Sequence, residues 1–287
     1  MVLSIAVPNK GRLSARAIGI LNKVGFGIPE DPGRTLAMSI GKGRYKVLFA
    51  RADDIPEFVE NGAVDLGITG LDIVMETGRS VGLRMPLDFG RCRLVVAAQD
   101  SSRFSEPGQV PDGTRVATSF PRLTVEYFRK LGRKIETVRM TGATESAPQL
   151  GVAELVADIT ETGSTLKMNH LREIGAILES QAVLIANAGS LEAKSKEIEE
   201  TRSAIASVLN ARRKRYVMAN VPKGVLNDLP LLLPGISGPT VMNIIGRDDF
   251  AAVHAVVGED EVNAIVALLK MNGATGILVF PIERLIP

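Results

Sequence analysis

Cysteine occurs once in the 287-residue chain, at Cys92, and histidine twice, at His170 and His254. A single thiol excludes an intrachain disulfide, and two histidines beside it cannot assemble a Cys/His zinc cluster. That usage fits a reducing, cytoplasmic setting. Long apolar runs are also lacking: none approaches the roughly 18 residues needed to cross a bilayer, so no membrane insertion is expected. The stretch from Met1 to Lys10 has no basic flank and is broken at Pro8, and it reads as a first strand rather than a secretory leader. Charge of one sign is missing as well. Lys and Arg number 34 against 32 Asp and Glu, a formal net charge of +2, which excludes a polycation built for nucleic acid. A partner bearing phosphates then has to be held by local loops.

Two nucleotide signatures are absent. No Gly-x-x-x-x-Gly-Lys occurs, which excludes a P-loop, and no Gly-x-Gly-x-x-Gly follows the first apolar run, which excludes a Rossmann fingerprint. What is present is a hydroxyl-rich loop. Leu155 to Ile159 reads as a short buried strand carrying Asp158 at its end, followed by Thr160, Glu161, Thr162, Gly163, Ser164 and Thr165. A helix is expected over 166–174, so that Thr162 to Thr165 form a turn with outward N–H groups and three hydroxyls able to donate to phosphate oxygens. Gly163 permits a left-handed conformation or a close backbone approach, and Asp158 can accept from sugar hydroxyls. Taken alone, the same loop also reads as a turn whose Ser and Thr cap a helix.

The length suits about two domains. Leu3 to Val7 is a strand leading through Lys10 and Arg12 into a helix, and Thr35 to Ile40 with Tyr45 to Ala50 form a hairpin. Arg51 precedes a helix over 53–62, Val64 to Gly70 is a strand, and Asp72 opens the next helix. Lys10, Arg12, Arg51, Thr69, Gly70 and Asp72 therefore fall at strand ends or helix starts, where ligands of open α/β sheets sit, although caps and ordinary ion pairs account for such residues too. Strands over 91–98, 114–118, 135–140, 174–178 and 182–186, with a helix over 121–131, continue an alternation that predicts a mainly parallel sheet. A long helix over 194–213 ends in the basic run Arg212 to Arg215, read as a solvated helix end. Beyond it, strand 216–221, helix 224–233, strands 240–245 and 250–257, helix 259–272 and strand 276–280 give the order βαββαβ, a ferredoxin-like module.

The segments Asp65-Leu-Gly-Ile-Thr-Gly70-Leu-Asp72, Glu145-Ser-Ala-Pro148-Gln-Leu-Gly151, Asp158 to Leu166 and Gly273 to Leu278 resemble ATP phosphoribosyltransferase, and the C-terminal module makes the likeness one to its long form. The resemblance runs over nearly the whole chain. It implies a two-lobed catalytic part similar to type 2 periplasmic binding proteins over 1–213, with lobe I about 1–90 and 180–213 and lobe II about 91–179, then a histidine-sensing domain over 214–287. It also implies transfer of the ribosyl group of phosphoribosyl pyrophosphate to adenine N1 of ATP. Asp158 and Glu145 would hold ribose hydroxyls or magnesium waters. Thr160 to Thr165 would hold the 5-phosphate, and Lys10, Arg12, Arg51, Thr69, Gly70 and Asp72 would line the nucleotide side. Mg²⁺ would be held through substrate phosphates rather than by a tight protein-only site. Asn220, Thr240, Val256 and Gly276 match positions of a regulatory histidine pocket, with Asn220 standing where some relatives carry an acid. Glu161 is a departure, because it repels a phosphate unless it points to solvent or metal. Dimers assembling into hexamers are implied as well. The competing reading is a two-lobed solute-binding or ligand-sensing protein without catalysis. Neither His170 nor His254 is taken as an acid–base group.

Overall fold

Three separate sheets hold the strands of the computed structural model, which describes residues 2–29, 33 and 35–286, with only the backbone for Leu83 and Arg84. The chain begins with β1 (Leu3–Pro8) and α1 (Ser14–Val24), then β2 (Ala37–Ile40), β3 (Tyr45–Ala50), α2 (Ile55–Glu60), β4 (Leu66–Gly70), α3 (Leu71–Thr77) and β5 (Gly82–Pro86). Next come β6 (Cys92–Gln99), β7 (Thr114–Thr118), α4 (Pro121–Lys130), β8 (Ile135–Arg139), β9 (Leu155–Thr160), α5 (Ser164–Met168) and β10 (Leu171–Ser180). The return is made by β11 (Ala182–Ala186), α6 (Ala188–Ala193) and α7 (Ser195–Ala211). Contacts divide the chain into two units, Met1–Arg202 and Ser203–Pro287, and the division falls inside α7.

Within the first unit, one sheet has the order β2-β3-β1-β4-β11-β5 and the other β10-β6-β9-β7-β8. The two are the lobes of a type 2 periplasmic-binding-protein fold. Each is sealed by its own apolar cluster: Ala6, Ile55, Val59 and Ile185 in the first, Val96, Val116, Phe128 and Leu155 in the second. The chain passes between sheets at residues 87–91 and again at Gln181. The two passages are bonded to each other, since Leu87 N–H donates to the Ala182 carbonyl and Ala182 N–H to the Phe89 carbonyl, both at 2.9 Å.

The expectation of a mainly parallel sheet is corrected. β1 runs parallel to β3 and β4, and β7 to β8 and β9, but β2–β3, β4–β11, β5–β11, β6–β9 and β6–β10 are antiparallel. Strand–helix alternation dictates parallel pairing only where a helix crosses over a sheet. Here β6 and β11, the first strand after each passage between lobes, run against the grain, so that β10 and β5 pair antiparallel to them, and β2 is reversed by its hairpin with β3. The helix expected over 166–174 is also corrected. It stops at Met168, where Asn169 N–H turns back to the Thr165 and Leu166 carbonyls and His170 adopts φ +55°, and Leu171 opens a strand that pairs with β6 instead, with buried Ile174 at a bulge in that ladder. β5 is a further strand that the sequence pattern did not reveal.

The second unit carries β12 (Lys214–Pro222), α8 (Leu229–Leu232), β13 (Thr240–Ile244), β14 (Arg247–Gly258), α9 (Val262–Met271) and β15 (Thr275–Pro281). Its antiparallel order, β13-β14-β12-β15, is that of a ferredoxin-like module. Alternate residues Val217, Ala219, Val221, Val253, Ala255 and Val257 pack with Leu229, Ile265 and Leu269 of the helices. The helix expected over 224–233 is broken into a 3₁₀ turn, Lys223–Val225, and α8, which has Pro230 in its first turn where no N–H is required.

Asp65 ties the first lobe together. Its carboxylate accepts from Ser4 N–H at 2.7 Å, the Ser4 hydroxyl at 2.8 Å, the Ser190 hydroxyl at 2.6 Å and Lys194 Nζ at 2.8 Å. Burial alone would push this carboxyl up, yet the bonds from Lys194, Ser190 and Ser4 outweigh it and hold the group below its ordinary value of 3.8. A lowered folded value stabilises the protein above the unfolded value, and that share is lost as pH falls through the folded one. Asp65→Ala is expected to cost about 3 kcal/mol at pH 7, because it strands Lys194. Urea titrations at neutral pH and below pH 3 should show the difference between wild type and variant shrinking in acid.

Candidate active site

The loop after β9 is braced from within. Thr160 is buried, and its Oγ1 accepts from Gly163 N–H at 2.8 Å, closing a turn in which Gly163 has φ +78°. A Cβ at Gly163 would meet nothing within 4 Å, so glycine is there for its backbone angle and not for space. Thr162 Oγ1 lies 3.0 Å from Ser164 Oγ, and Glu161, Thr162, Ser164 and Thr165 are exposed. α5 is only five residues long, so the turn offers hydroxyls and first-turn N–H groups more than a helix dipole.

Asp158 stands two residues before the end of β9, half-buried, and its Oδ1 accepts from Ile159 N–H at 2.7 Å. Burial raises its pKa above the ordinary 3.8, and the nearby Glu145 carboxylate adds to the rise, while bonds from Ile159 N–H and the Thr144 hydroxyl oppose it. Glu145 sits in the 3₁₀ turn Thr144–Ser146, entered through Ala143 at φ +50°. The structure thus brings Asp158, Glu145 and the hydroxyl turn together.

On the first lobe, Asp72 in the first turn of α3 is 2% exposed. Its Oδ1 accepts from Ser180 Oγ at 2.5 Å, while its own N–H donates to the same Ser180 oxygen at 2.9 Å. Arg12 reaches Asp72 Oδ2 at 4.0 Å, donates to the Gly90 carbonyl and to Cys92 Sγ at 3.1 Å, and lies 3.9 Å from Glu161 Oε1 of the other lobe. Thr69 and Gly70 are interior: Thr69 Oγ1 donates to the Ala52 carbonyl at 2.8 Å. Lys10 and Arg51 are exposed at the ends of β1 and β3. Near Arg51, Asp53 is pushed up by burial and by the Asp54 and Asp72 carboxylates, with Arg51 opposing.

A cavity of about 530 Å³ is lined by Leu71, Arg91, Cys92, Arg93, Glu161, Ser180 and Gln181, and Gln181 Oε1 is buried with no hydrogen-bond partner among the described residues. A second cavity of about 300 Å³ lies between Arg12, Arg16, Arg91 and Glu161. Glu161 lines both and faces Arg12. Ser180, Gln181, Cys92, Thr144 and Asp53 are not site candidates on the sequence alone. Ser180 meets Asp72 across 108 residues, so no local spacing announces it. Among the described residues, no group of three or more His, Cys, Asp or Glu is arranged to hold a metal ion, and no helix is long and apolar enough to cross a membrane.

In the second unit, Asn220 on β12 faces Ala252, Thr240 on β13 faces His254, and Val256 on β14 faces Tyr216. Register puts these three on the sheet face opposite α8 and α9, where His254 stacks on Tyr216 at 5.2 Å. Gly276 has φ +58°, and a Cβ there would lie 3.3 Å from Asn220 Nδ2. His170 is an exposed turn residue whose carbonyl accepts from Asp100 N–H.

Comparison with known proteins points one way. A family model described as ATP phosphoribosyltransferase matches residues 51–207, and one described as HisG, C-terminal domain, matches residues 211–284. The ATP phosphoribosyltransferase of Methanothermobacter thermautotrophicus is 46% identical, covering 100% of both chains. That of Gemmatimonas aurantiaca is 44% identical, also over 100% of both. Among solved structures, the ATP phosphoribosyl transferase (HisG:HisZ) complex from Thermotoga maritima superposes with a TM-score of 0.65 at 27% identity, over 74% of this chain and 99% of that one.

Gly70 is required by space. Its backbone angles suit any residue, but a Cβ would lie 2.3 Å from Asp72 Oδ1. Gly70→Ala is expected to dislodge Asp72 from Ser180 and to cost about 1 to 3 kcal/mol as overpacking. Gly19, exposed within α1 with nothing within 4 Å of its Cβ position, is the control: Gly19→Ala should stabilise by about 0.5 to 1 kcal/mol. Urea denaturation of both variants checks the opposite signs.

Proposed function

The chain belongs to the ATP phosphoribosyltransferase family and is a transferase of that kind, and we propose that it joins N1 of the adenine of ATP to C1 of the ribose of phosphoribosyl pyrophosphate. Pyrophosphate leaves and phosphoribosyl-ATP is formed, as the first step of histidine biosynthesis. The observation that carries this reading is the half-buried Asp158 with Glu145 beside it at the base of the hydroxyl turn. A sugar carbon that loses pyrophosphate becomes cationic, and a fixed carboxylate where that charge grows lowers the barrier. Asp158 holds the ribose hydroxyls and Glu145 assists it, while Thr162, Gly163, Ser164 and Thr165 bind the 5-phosphate on a turn that Thr160 keeps in shape. Lys10, Arg12 and Arg51 serve the nucleotide phosphates from the facing lobe, with Thr69, Gly70 and Asp72 building the wall behind them. Glu161 balances Arg12 at the rim. No side-chain nucleophile is needed, because the work is alignment of two substrates and stabilisation of charge.

The Asp158 and Glu145 carboxylates are hard oxygen donors of the type that suits Mg²⁺, which binds with few protein ligands and keeps several waters. Bound there together with substrate phosphates, the ion would neutralise the departing pyrophosphate. We further propose a cytoplasmic protein that assembles as dimers into hexamers, with histidine as feedback inhibitor on the C-terminal module.

Formation of phosphoribosyl-ATP, followed by ultraviolet absorbance with Mg²⁺ present, tests the activity. Tight binding of both substrates without turnover would favour a binding-only protein instead. Asp158→Asn is expected to lower turnover on the order of 10²-fold with an unchanged thermal melt. Because burial raises the Asp158 pKa above 3.8, wild-type turnover should fall with acid through a pKa above that value, and the variant should lack this limb.

Histidine regulation is tested at Gly276, which belongs to none of the transfer chemistry. Its positive φ and its closeness to Asn220 make Gly276→Ala a local strain on the proposed pocket. The variant should bind histidine about tenfold more weakly by calorimetry, a change of about 1.4 kcal/mol, and keep its turnover without histidine. Undiminished histidine binding would remove this pocket assignment.

A further inference from the structure

The N-terminus of α4 in the second lobe has no cap of its own. Its N-cap position is Phe120, whose side chain offers no acceptor, and Pro121 carries no N–H. The neighbouring hydroxyls are already committed: Ser119 Oγ donates to the Met140 carbonyl at 2.6 Å, and Thr118 Oγ1 accepts from Phe120 N–H at 2.8 Å. The first exposed donors of the helix, Arg122 N–H and Leu123 N–H, go instead to the first lobe. They bond the two carboxylate oxygens of Glu76, each at 2.9 Å.

Glu76 is poorly placed for its own helix. It sits in the last turn of α3, where the dipole disfavours an anion, but at the start of α4 the same charge is favoured. The exchange runs in the other direction too. Arg122 Nη1 donates to the Met75 carbonyl at 2.7 Å, putting a cation on the C-terminal end of α3. Gly78, with φ +63°, leaves the room for it: a Cβ there would lie 2.2 Å from Arg122 Nη1. Each helix end is thus capped by the other lobe.

This contact borders a cavity of about 250 Å³ shared by Asp53, Ile73 and Thr77 of the first lobe and Ser119, Phe120 and Arg139 of the second. Arg12 and Glu161 approach across the lobes elsewhere. Unlike that exposed pair, the Glu76 carboxylate is bound to backbone N–H groups for which it is the acceptor among the described residues, so separating the lobes uncaps α4. We propose that Glu76 is a positioning residue, a latch that holds the two lobes closed by capping α4, so that the halves of the cleft stay in register for reaction. The proposal concerns lobe closure and stands whether or not the transfer reading holds; only its kinetic arm rests on that reading.

The test uses the full chain with Lys46→Cys and Lys130→Cys, exposed positions on the two lobes, carrying spin labels, with the buried Cys92 left in place. Labelled chains are diluted with unlabelled ones so that only distances within a chain are read. Glu76→Ala is expected to shift the interlobe distance distribution toward longer values, with the closed fraction relative to open falling about twofold to thirtyfold, the range that loss of a cap carries. Glu76→Gln, which keeps the shape and one acceptor oxygen without the charge, should fall between wild type and Glu76→Ala and covers the case in which the alanine variant does not fold. In kinetics, Glu76→Ala should raise KM for both substrates with kcat changed less, since the closed state must be rebuilt by substrate binding. Distance distributions identical to wild type in both variants, even with a lowered melting temperature, would overturn the latch and leave Glu76 a stabilising cap only. Wild-type protein without turnover but with the expected distance shift would instead remove the transfer reading and leave the latch intact.

Discussion

A carboxylate buried to 2% exposure sets the terms for the catalytic part of this molecule. Taking Asp72 out of water costs several kcal/mol unless its oxygens are bonded and its charge balanced. Ser180 supplies the bond and Arg12 the nearest positive charge. Those two partners come from opposite ends of the unit in sequence, one from the β1–α1 loop and one from the last residue of β10. The packing of α3, the arrival of the second passage between lobes and the aim of Arg12 are therefore one problem with one solution. Gly70 belongs to it as well, since only a residue without Cβ leaves Asp72 its place.

The same passage explains why there are two lobes and not one large sheet. β10 ends at Ser180 and β11 begins at Ala182, so a single residue, Gln181, separates strands of different sheets. Ala182 then bonds to Leu87 and Phe89 of the outgoing passage, and both of those side chains are fully buried. The crossing is a short two-stranded connection with a buried core that belongs to neither sheet's interior ladder. Around it, parallel strand ends β1, β3 and β4 of one lobe and β7, β8 and β9 of the other carry the loops that hold every proposed catalytic and substrate residue. The switch to antiparallel pairing is confined to the strands that complete the sheets, so the ligand-facing geometry of a parallel sheet is kept where chemistry needs it.

Much of this was legible in the residues. β11 is an unbroken apolar run and β1 is nearly one, the β2–β3 hairpin is marked by Gly41 and Gly43, and Asp158 before a Thr-Gly-Ser-Thr turn stands out. The errors share a cause. Leu166 to Ile174 fits helical spacing, but from Leu171 onward the chain pairs with β6, and a partner strand more than seventy residues away decided the matter. β5 was hidden because it is completed by β11 from the far end of the unit. Ser180 and Glu76 carry no local signature either: one is an ordinary serine at a strand end, the other an acid at the wrong end of its helix. Their roles exist only after the chain has crossed between lobes. Short-range chemistry was readable, whereas contacts that join one lobe to the other were not.

The carboxylates of the two lobes sit where burial disfavours their charge. Asp158 on one lobe and Asp53 on the other are both pushed up by burial, each with a second carboxylate close by. Two arginines of the first lobe are already engaged: Arg12 with Asp72, Gly90, Cys92 and Glu161, and Arg51 with Asp53. A carboxylate in such a site gains from any positive charge brought to it, whether a metal ion or a sugar carbon on its way to becoming cationic, and arrival of that charge lowers its pKa again. On the proposed reading, the protein therefore keeps Asp158 poorly solvated until the moment its negative charge has a partner. Water would stabilise the carboxylate at all times and the transition state hardly at all. Burial removes that competition, and the interaction is then strongest where the reaction, not the resting protein, supplies the positive end.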